Sequence, residues 1–361
     1  MTNAIRRERN VAQFRSVGGP LPHGIQGAAD PSFTRALRAF SALFPSRFLG
    51  GGALSVYLDG VPVVDVWTGW ADRWGTRPWN ADTGATVFSA TKGLASTVIH
   101  RLADRGLIHY DAPVADYWPA FAANGKAGVT VRELMRHRAG LSQLNSATLA
   151  EVMDHRLMEQ RLAAAPVSWM RGRPSYHAIT YGWLLSGLAR AVTGHGMREL
   201  FRTELADSLG TDGLHLGRPP AHAPTQPAQI IGPQFRIPNP LFDAIAPILA
   251  ALPVSGGLGS MYFRGMRSMV QGDTPLLDSE MPGANGVATA RGLARLYGAI
   301  ANGGQLDGTR FLSAGTVAQL RGPGSLFPDL GLGLPMDFNL GYHGMPILGV
   351  LPGFGHIGLG G

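Results

Sequence analysis

Ser89 and Lys92 stand three residues apart in Phe88-Ser89-Ala90-Thr91-Lys92-Gly93-Leu94. A serine hydroxyl is a poor nucleophile at neutral pH and needs a nearby base or a lowered pKa. On a helix, residues i and i+3 share a face, so this spacing sets a hydroxyl beside an amine. Burial would depress the amine far enough to accept the serine proton. A helix N-terminus at Ser89 would favour the negative charge that develops there. The spacing alone is weak, because short motifs recur by accident. Two features strengthen it. Lys92 and Lys126 are the only lysines in a chain whose other strong bases are arginines, and a deprotonatable amine is what arginine cannot supply. Ser89 also sits where a polar loop enters the chain's clearest helical pattern.

The pair depends on the elements around it. Leu94, Val98, Ile99 and Leu102 predict a helix over Ser89 to Arg105, with Gly106 at its C-cap. Upstream, Phe33, Leu37, Phe40 and Leu43 predict a helix over Ser32 to Phe44, with Ser32 as its cap. Gly51 to Leu58 and Val61 to Trp67, joined by Asp59-Gly60, predict a β-hairpin. Residues 71–86 read as a loop. Thr130 with Glu133 forms a capping-box pattern opening a helix to His137. Leu149 to Leu162, Thr180 to Thr193, and Thr289 to Ala301 are further helices. Residues 211–241, with seven prolines between Pro219 and Pro240, read as irregular coil serving as a lid or lobe connection. A helix followed by an antiparallel hairpin points to an α+β architecture. The apolar run Phe242 to Leu258 is read as an acyl pocket, a lid or core, and Gly256-Gly257 as a backbone-approach loop or a plain turn.

Composition narrows the function classes. At 361 residues, 45% hydrophobic and 15% charged, the chain is a folded globular protein with a sizeable core. It has no cysteine, which excludes disulfides, thiolate catalysis and Cys-based metal sites. The formal charge of +7 comes from dispersed arginine, without the basic run and interleaved aromatics of a nucleic-acid groove, so no nucleic-acid partner is expected. Met1 to Gly19 lacks the apolar core of a secretory signal, and no stretch reaches about 18 uninterrupted apolar residues. The expectation is a cytoplasmic protein without a transmembrane segment. Peripheral contact with a membrane or cell envelope is the alternative. His155, His177, His195 and His215 show no metal-ligand spacing, so neither a metal nor a cofactor is expected. His137 reads as a structural cap, and Tyr181 and Trp183 as core. Gly355 to Gly361 reads like the middle of a structured element, so further elements beyond Gly361 are expected.

Taken in order, Phe-Ser-Ala-Thr-Lys-Gly at 88–93, Tyr-Trp-Pro-Ala-Phe at 117–121, the segment at 129–141, Tyr176-His177-Ala178 and His356-Ile357-Gly358 form a pattern. It resembles the serine β-lactamase and penicillin-binding-protein family, and more closely its class C-like esterase branch, the family VIII-type carboxylesterases. The resemblance runs from about residue 30 to the last residue. It implies a β-lactamase-like (DD-peptidase-like) α+β fold, with an antiparallel sheet flanked by helices. Residues 1–30 would be an N-terminal arm and 31–361 a single hydrolase domain, with a mostly helical lobe at about 90–285 inserted between the sheet parts. It implies that Ser89 forms an acyl-enzyme, that Lys92 and Tyr176 share the acid and base work, and that the backbone N–H groups of Ser89 and Leu359 form the oxyanion hole. His356, Gly358 and His177 would meet the substrate, a small-molecule ester or lipid. The family's second-box asparagine is Ala178 here and its third-box lysine is His356. Losing an amide and a fixed cation argues against efficient β-lactam or peptide carboxylate recognition while leaving ester chemistry intact. The absence of Gly-x-Ser-x-Gly disfavours an α/β-hydrolase. The alternatives are a D-peptidase, transesterase or weak β-lactamase, and a catalytically silent binding protein for an envelope ligand.

Overall fold

The computed structural model describes residues 20–44, 50–143, 147–230, 239–251, 257–266, 268, 276–322, 328–345 and 353–358. Strand β1 (Gln26–Ala29) precedes helix α1 (Thr34–Ala42), and β2 (Gly51–Leu58) and β3 (Val61–Gly69) form the expected hairpin. Its turn residues Asp59 (φ 50°) and Gly60 (φ 77°) both take left-handed conformations, as a tight two-residue hairpin turn requires. The three strands make an antiparallel sheet in the order β1-β3-β2. One face buries Val64 and Val66 against Leu37 of α1. Asp30, not Ser32, caps the chain's entry into α1: its side chain accepts from the Ser32 N–H, fixing a 3₁₀ turn at Pro31–Phe33 ahead of the α-helix.

Strand β4 (Thr83–Thr86) lies inside the segment expected to be loop and leads through a 3₁₀ turn (Phe88–Ala90) into α2 (Thr91–Asp104). Short helix α3 (Val114–Tyr117) and α4 (Val131–Met135) follow, the latter opened by the Thr130–Glu133 capping box. Next come α5 (Leu149–Met153), α6 (His155–Ala164), α7 (Thr180–Thr193), and α8 (Met197–Leu200), which runs on into a π-helical segment at Phe201–Asp207. Strands β5 (Leu214–Leu216) and β6 (Gln226–Pro227) correct the expectation of irregular coil over 211–241. Helices α9 (Asn239–Ala251) and α10 (Gly257–Met261) precede β7 (Gly286–Ala288) and α11 (Ala290–Ala301). The hairpin β8 (Gln305–Leu306) and β9 (Thr309–Arg310), α12 (Ala314–Leu320), and β10 (Phe338–Asn339), β11 (Tyr342–Met345) and β12 (Gly353–Gly355) complete the described order.

Among the described residues the strands form several small sheets, and not all pairing is antiparallel. Strands β5-β7-β4-β6 form one sheet in which β4 and β6 run parallel, and β10-β11-β12 form an antiparallel set. Helix α11 lies against β2, where Gly298 meets Tyr57: a Cβ there would come within 2.8 Å of the tyrosine Cβ. The same helix ties to β3 through Arg291 and Asp65, 2.5 Å apart.

The main core is helical. Trp183, Leu184, Leu185 and Leu188 of α7 pack with Leu94, Val98, Ile99 and Leu102 of α2, all without exposure to solvent. Each such aliphatic side chain contributes roughly 1.5–3 kcal/mol on burial. Helix α2 is apolar on one side only. Thr91, Lys92, Ser96, Thr97 and His100 are also buried, and the last three find tertiary partners. Ser96 bonds to the Tyr181 hydroxyl at 2.8 Å and Thr97 to that of Tyr342 at 2.6 Å, while His100 meets Tyr110 at 2.8 Å and the Leu340 carbonyl at 3.0 Å. A buried polar group without a partner costs free energy, so these bonds fix the helix in one rotational setting. That setting aims Lys92 at Ser89.

Candidate active site

The turn carrying Ser89 is held from two directions by one glycine of β7. The Val87 N–H donates to the Gly286 carbonyl at 2.9 Å, and the Gly286 N–H donates to Thr91 Oγ1 at 2.9 Å. Between these anchors Phe88 adopts φ 41°, a left-handed conformation unusual for an aromatic residue. Ser89 follows directly, half-buried at the mouth of α2.

Lys92 reaches back along the helix and donates from Nζ to Ser89 Oγ at 3.0 Å and to the Gly283 carbonyl at 2.7 Å. The side chain is fully buried. Burial alone pushes the ammonium down to about 7, so near neutral pH a large share of the amine is free to accept a proton. The Gly283 carbonyl is delivered by a close approach of the 281–286 segment to α7. A Cβ on Gly182 would come within 2.1 Å of the Gly283 nitrogen.

The Tyr176 hydroxyl is hydrogen-bonded to the Ser89 side chain, which favours the phenolate. Burial outweighs it and pushes the phenol above its ordinary value, with the Asp329 carboxylate adding to the rise. The ring stacks on Phe338 at a centroid distance of 5.1 Å and meets His137 at 4.9 Å, with the Lys92 amine 5.1 Å from its centroid. Its backbone is pinned as well: the Tyr176 N–H donates to Asp329 Oδ1 at 3.0 Å. Asp329 is fully buried and accepts at the same oxygen from the Gly331 and Leu332 N–H groups at 2.8 and 3.0 Å. Desolvation raises its carboxyl pKa against these bonds.

The third box lies against the nucleophile turn. A Cβ on Gly358 would come within 2.2 Å of the Val87 carbonyl and 3.2 Å of the Ala90 nitrogen, so only glycine fits this approach. His356, beside it, is bonded at Nδ1 to the Ile357 carbonyl at 2.9 Å, while its buried Nε2 has no partner among the described residues. Burial, Lys92 and His343 hold it well below the usual imidazole range, so it stands neutral 6.3 Å from the Tyr176 ring. Leu359, the expected second oxyanion donor, lies outside the described residues, as does Gly256.

Ser89, Lys92, Tyr176, His356 and Gly358 thus converge. His177 does not join them. Its ring is fully buried and both nitrogens are committed, Nε2 accepting from the Leu141 N–H at 3.2 Å and Nδ1 bonding to the Ser175 carbonyl at 2.7 Å. Burial takes it down to about 4, so the expectation of a substrate contact is corrected to a structural role. His137, read as a cap, ends α4 with φ 57° and does more. Its ring is packed among Tyr176, Tyr181 and Phe338, and Nδ1 accepts from the His177 N–H at 3.0 Å. Ala178, at the second-box position, is buried with Tyr176 and Phe338, and Ile179, Met261, Leu332 and Met336 pack against them. The sequence reading missed Asp329, Gly283, Phe338 and His343, which accepts from the Ile357 N–H at 3.1 Å. None belongs to a local motif. Among the described residues no group of three or more histidines and carboxylates is arranged to hold a metal ion.

A family model described as Beta-lactamase matches residues 33–361, so the chain belongs to the β-lactamase family of serine hydrolases. It is 62% identical over 338 residues to the esterase/beta-lactamase LipL of Mycobacterium tuberculosis, covering 93% of this chain and 79% of that one. Among solved structures it is similar to a family VIII carboxylesterase, with a TM-score of 0.78 at 35% identity over 93% of this chain and 88% of the other. It is also similar to a penicillin-binding protein homologue from Caulobacter crescentus, with a TM-score of 0.74 at 31% identity over 92% and 88% of the two chains.

Proposed function

We propose that this hydrolase cleaves carboxylic esters of short to medium acyl chain through an acyl-serine intermediate. The observation that carries this reading is the fully buried Lys92 amine, pushed down to about 7 and 3.0 Å from Ser89 Oγ. Ser89 Oγ attacks the ester carbonyl carbon and its proton passes to the neutral Lys92 Nζ. Tyr176, kept protonated by burial and hydrogen-bonded to Ser89, would donate to the departing alkoxide. The acyl-serine bond then yields to water by the reverse use of the same groups. The Ser89 N–H receives the carbonyl oxygen as it becomes negative.

The choice of ester over lactam rests on the walls. Where a substrate amide would need a hydrogen-bonding partner there is Ala178, set among Met261, Leu332 and Met336. Where a substrate carboxylate would need a cation there is a neutral His356. The name of the Mycobacterium tuberculosis relative joins esterase with beta-lactamase, so lactam turnover is the second reading. The test compares p-nitrophenyl butyrate with nitrocefin. The expected kcat/KM favours the ester by at least about a hundredfold, and Ser89→Ala removes both ester turnover and fluorophosphonate labelling. Near-wild-type ester turnover in that variant overturns the mechanism, and a preference for nitrocefin overturns the substrate class. Absence of labelling in the native protein would leave a silent binding protein.

A further inference from the structure

Helix α9 (Asn239–Ala251) turns several large apolar side chains to water. Its sequence, Asn-Pro-Leu-Phe-Asp-Ala-Ile-Ala-Pro-Ile-Leu-Ala-Ala, carries a single charged residue, Asp243. A helix on a protein surface ordinarily turns its large apolar side chains inward and its polar ones to water. Here the small residues Ala246 and Ala250 are buried, while Leu241, Ile245, Ile248 and Leu249 are 43–66% exposed. These four fall at intervals of i, i+4, i+7 and i+8, which is one face of an α-helix. A contiguous apolar face of this kind marks an interaction surface. At 13 residues the helix is about 20 Å long, too short to cross a bilayer and suited to lying in its surface.

Two further observations select the occupant. The chain carries a net charge of +7, with 31 lysines and arginines against 24 acids, so its long-range field draws it to anionic surfaces. The face is also joined to the ester site. Helix α9 packs on α10 (Gly257–Met261), and Met261 at the end of α10 packs on the cluster of Tyr176, Ala178 and Phe338.

We propose that the exposed face of α9 docks this enzyme on an anionic lipid bilayer, with Leu241, Ile245, Ile248 and Leu249 entering the headgroup boundary. Docking there sets the cluster of Tyr176, Ala178 and Met261 on the side of the source of a poorly soluble ester. The statement about substrate rests on the ester reading of the preceding section, whereas the docking does not.

The test uses the Ser89→Ala protein, in which binding is measured without turnover, and equimolar phosphatidylglycerol–phosphatidylcholine vesicles. The parent should cosediment with these vesicles and bind pure phosphatidylcholine vesicles less well. Adding Ile245→Glu and Ile248→Glu should weaken binding to the mixed vesicles by at least about tenfold. In the active background the same pair of substitutions should leave p-nitrophenyl butyrate turnover within about twofold and the circular-dichroism melt intact, since exposed glutamate is a good helix former. Equal vesicle binding with and without the two glutamates overturns the proposal, as does equal binding to neutral and anionic vesicles. A wild-type dimer that the substitutions convert to monomer assigns the face to a second copy of the chain and also overturns it. Loss of soluble-ester turnover in parallel with vesicle binding makes α9 a wall of the site instead. Loss of ester turnover in the wild type, with vesicle binding retained, strikes the ester reading and leaves the docking standing.

Discussion

At the scale of single residues, the catalytic lysine has no carboxylate partner among the described residues. Lys92 donates to a serine and a backbone carbonyl, and burial is the sole cause of its depressed pKa. The neutral amine is the reactive form, so kcat/KM for p-nitrophenyl butyrate should rise with pH through about 7 and level off above it. Lys92→Arg should lower the rate by roughly a hundredfold or more and abolish that rise, because a guanidinium stays protonated. A pH–rate profile of both proteins checks this, and an unshifted acid limb in Lys92→Arg would exclude Lys92 as the base. Ser89 and Lys92 were legible because their chemistry depends on local spacing, and Tyr176 because it sits in a recognisable box. Asp329 was not, because it binds the Tyr176 backbone from 153 positions away and no residue pattern marks a backbone N–H. His177 misled for the converse reason: its place in the box said nothing of which way its ring turns.

At the scale of elements, the site is assembled by α2, α7 and the segment leading into β7. Gly182 lets α7 approach that segment until a Cβ would stand 2.1 Å from the Gly283 nitrogen and 2.5 Å from the Pro282 carbonyl carbon. Gly182→Ala should therefore push the Gly283 carbonyl away from Lys92. The expected result is a fall of at least about tenfold in kcat, together with a loss of roughly 1–3 kcal/mol in stability. Steady-state kinetics alongside denaturant unfolding test it, and a destabilised variant with unchanged kcat would show that the carbonyl plays no part. Local signals were read well at this scale. The Asp59-Gly60 hairpin and the Thr130–Glu133 box carry their own turn and cap chemistry. Strand β4 was missed because Thr83–Thr86 offers only four residues, and its partners are β6 and β7, more than a hundred residues later.

At the scale of the whole molecule, the buried lysine links catalysis to stability. The Lys92 pKa falls from 10.5 to about 7 on folding. Between those values the unfolded chain binds one more proton than the folded one, so Lys92 makes stability rise with pH across that window. Lys92→Met should remove this increment and flatten the dependence of unfolding free energy on pH between about 7 and 10. Urea unfolding of the two proteins at a series of pH values measures it, and parallel curves would show that Lys92 does not titrate with folding. The α+β class and the order of the boxes were evident at this scale. The division of the strands into small sheets was not, because pairing partners distant in the chain leave no local trace.

The double clasp of Gly286 on the nucleophile turn, and the Gly283 carbonyl on Lys92, join residues 191 and more positions apart. Until that distant segment docks, Lys92 is an ordinary solvated amine, protonated at neutral pH, and Ser89 is an ordinary alcohol. Reactivity is therefore withheld during synthesis and refolding and switched on by long-range closure, among the slower steps in folding. The appearance of a reactive serine then signals that residues 283–286 have docked on residues 87–92.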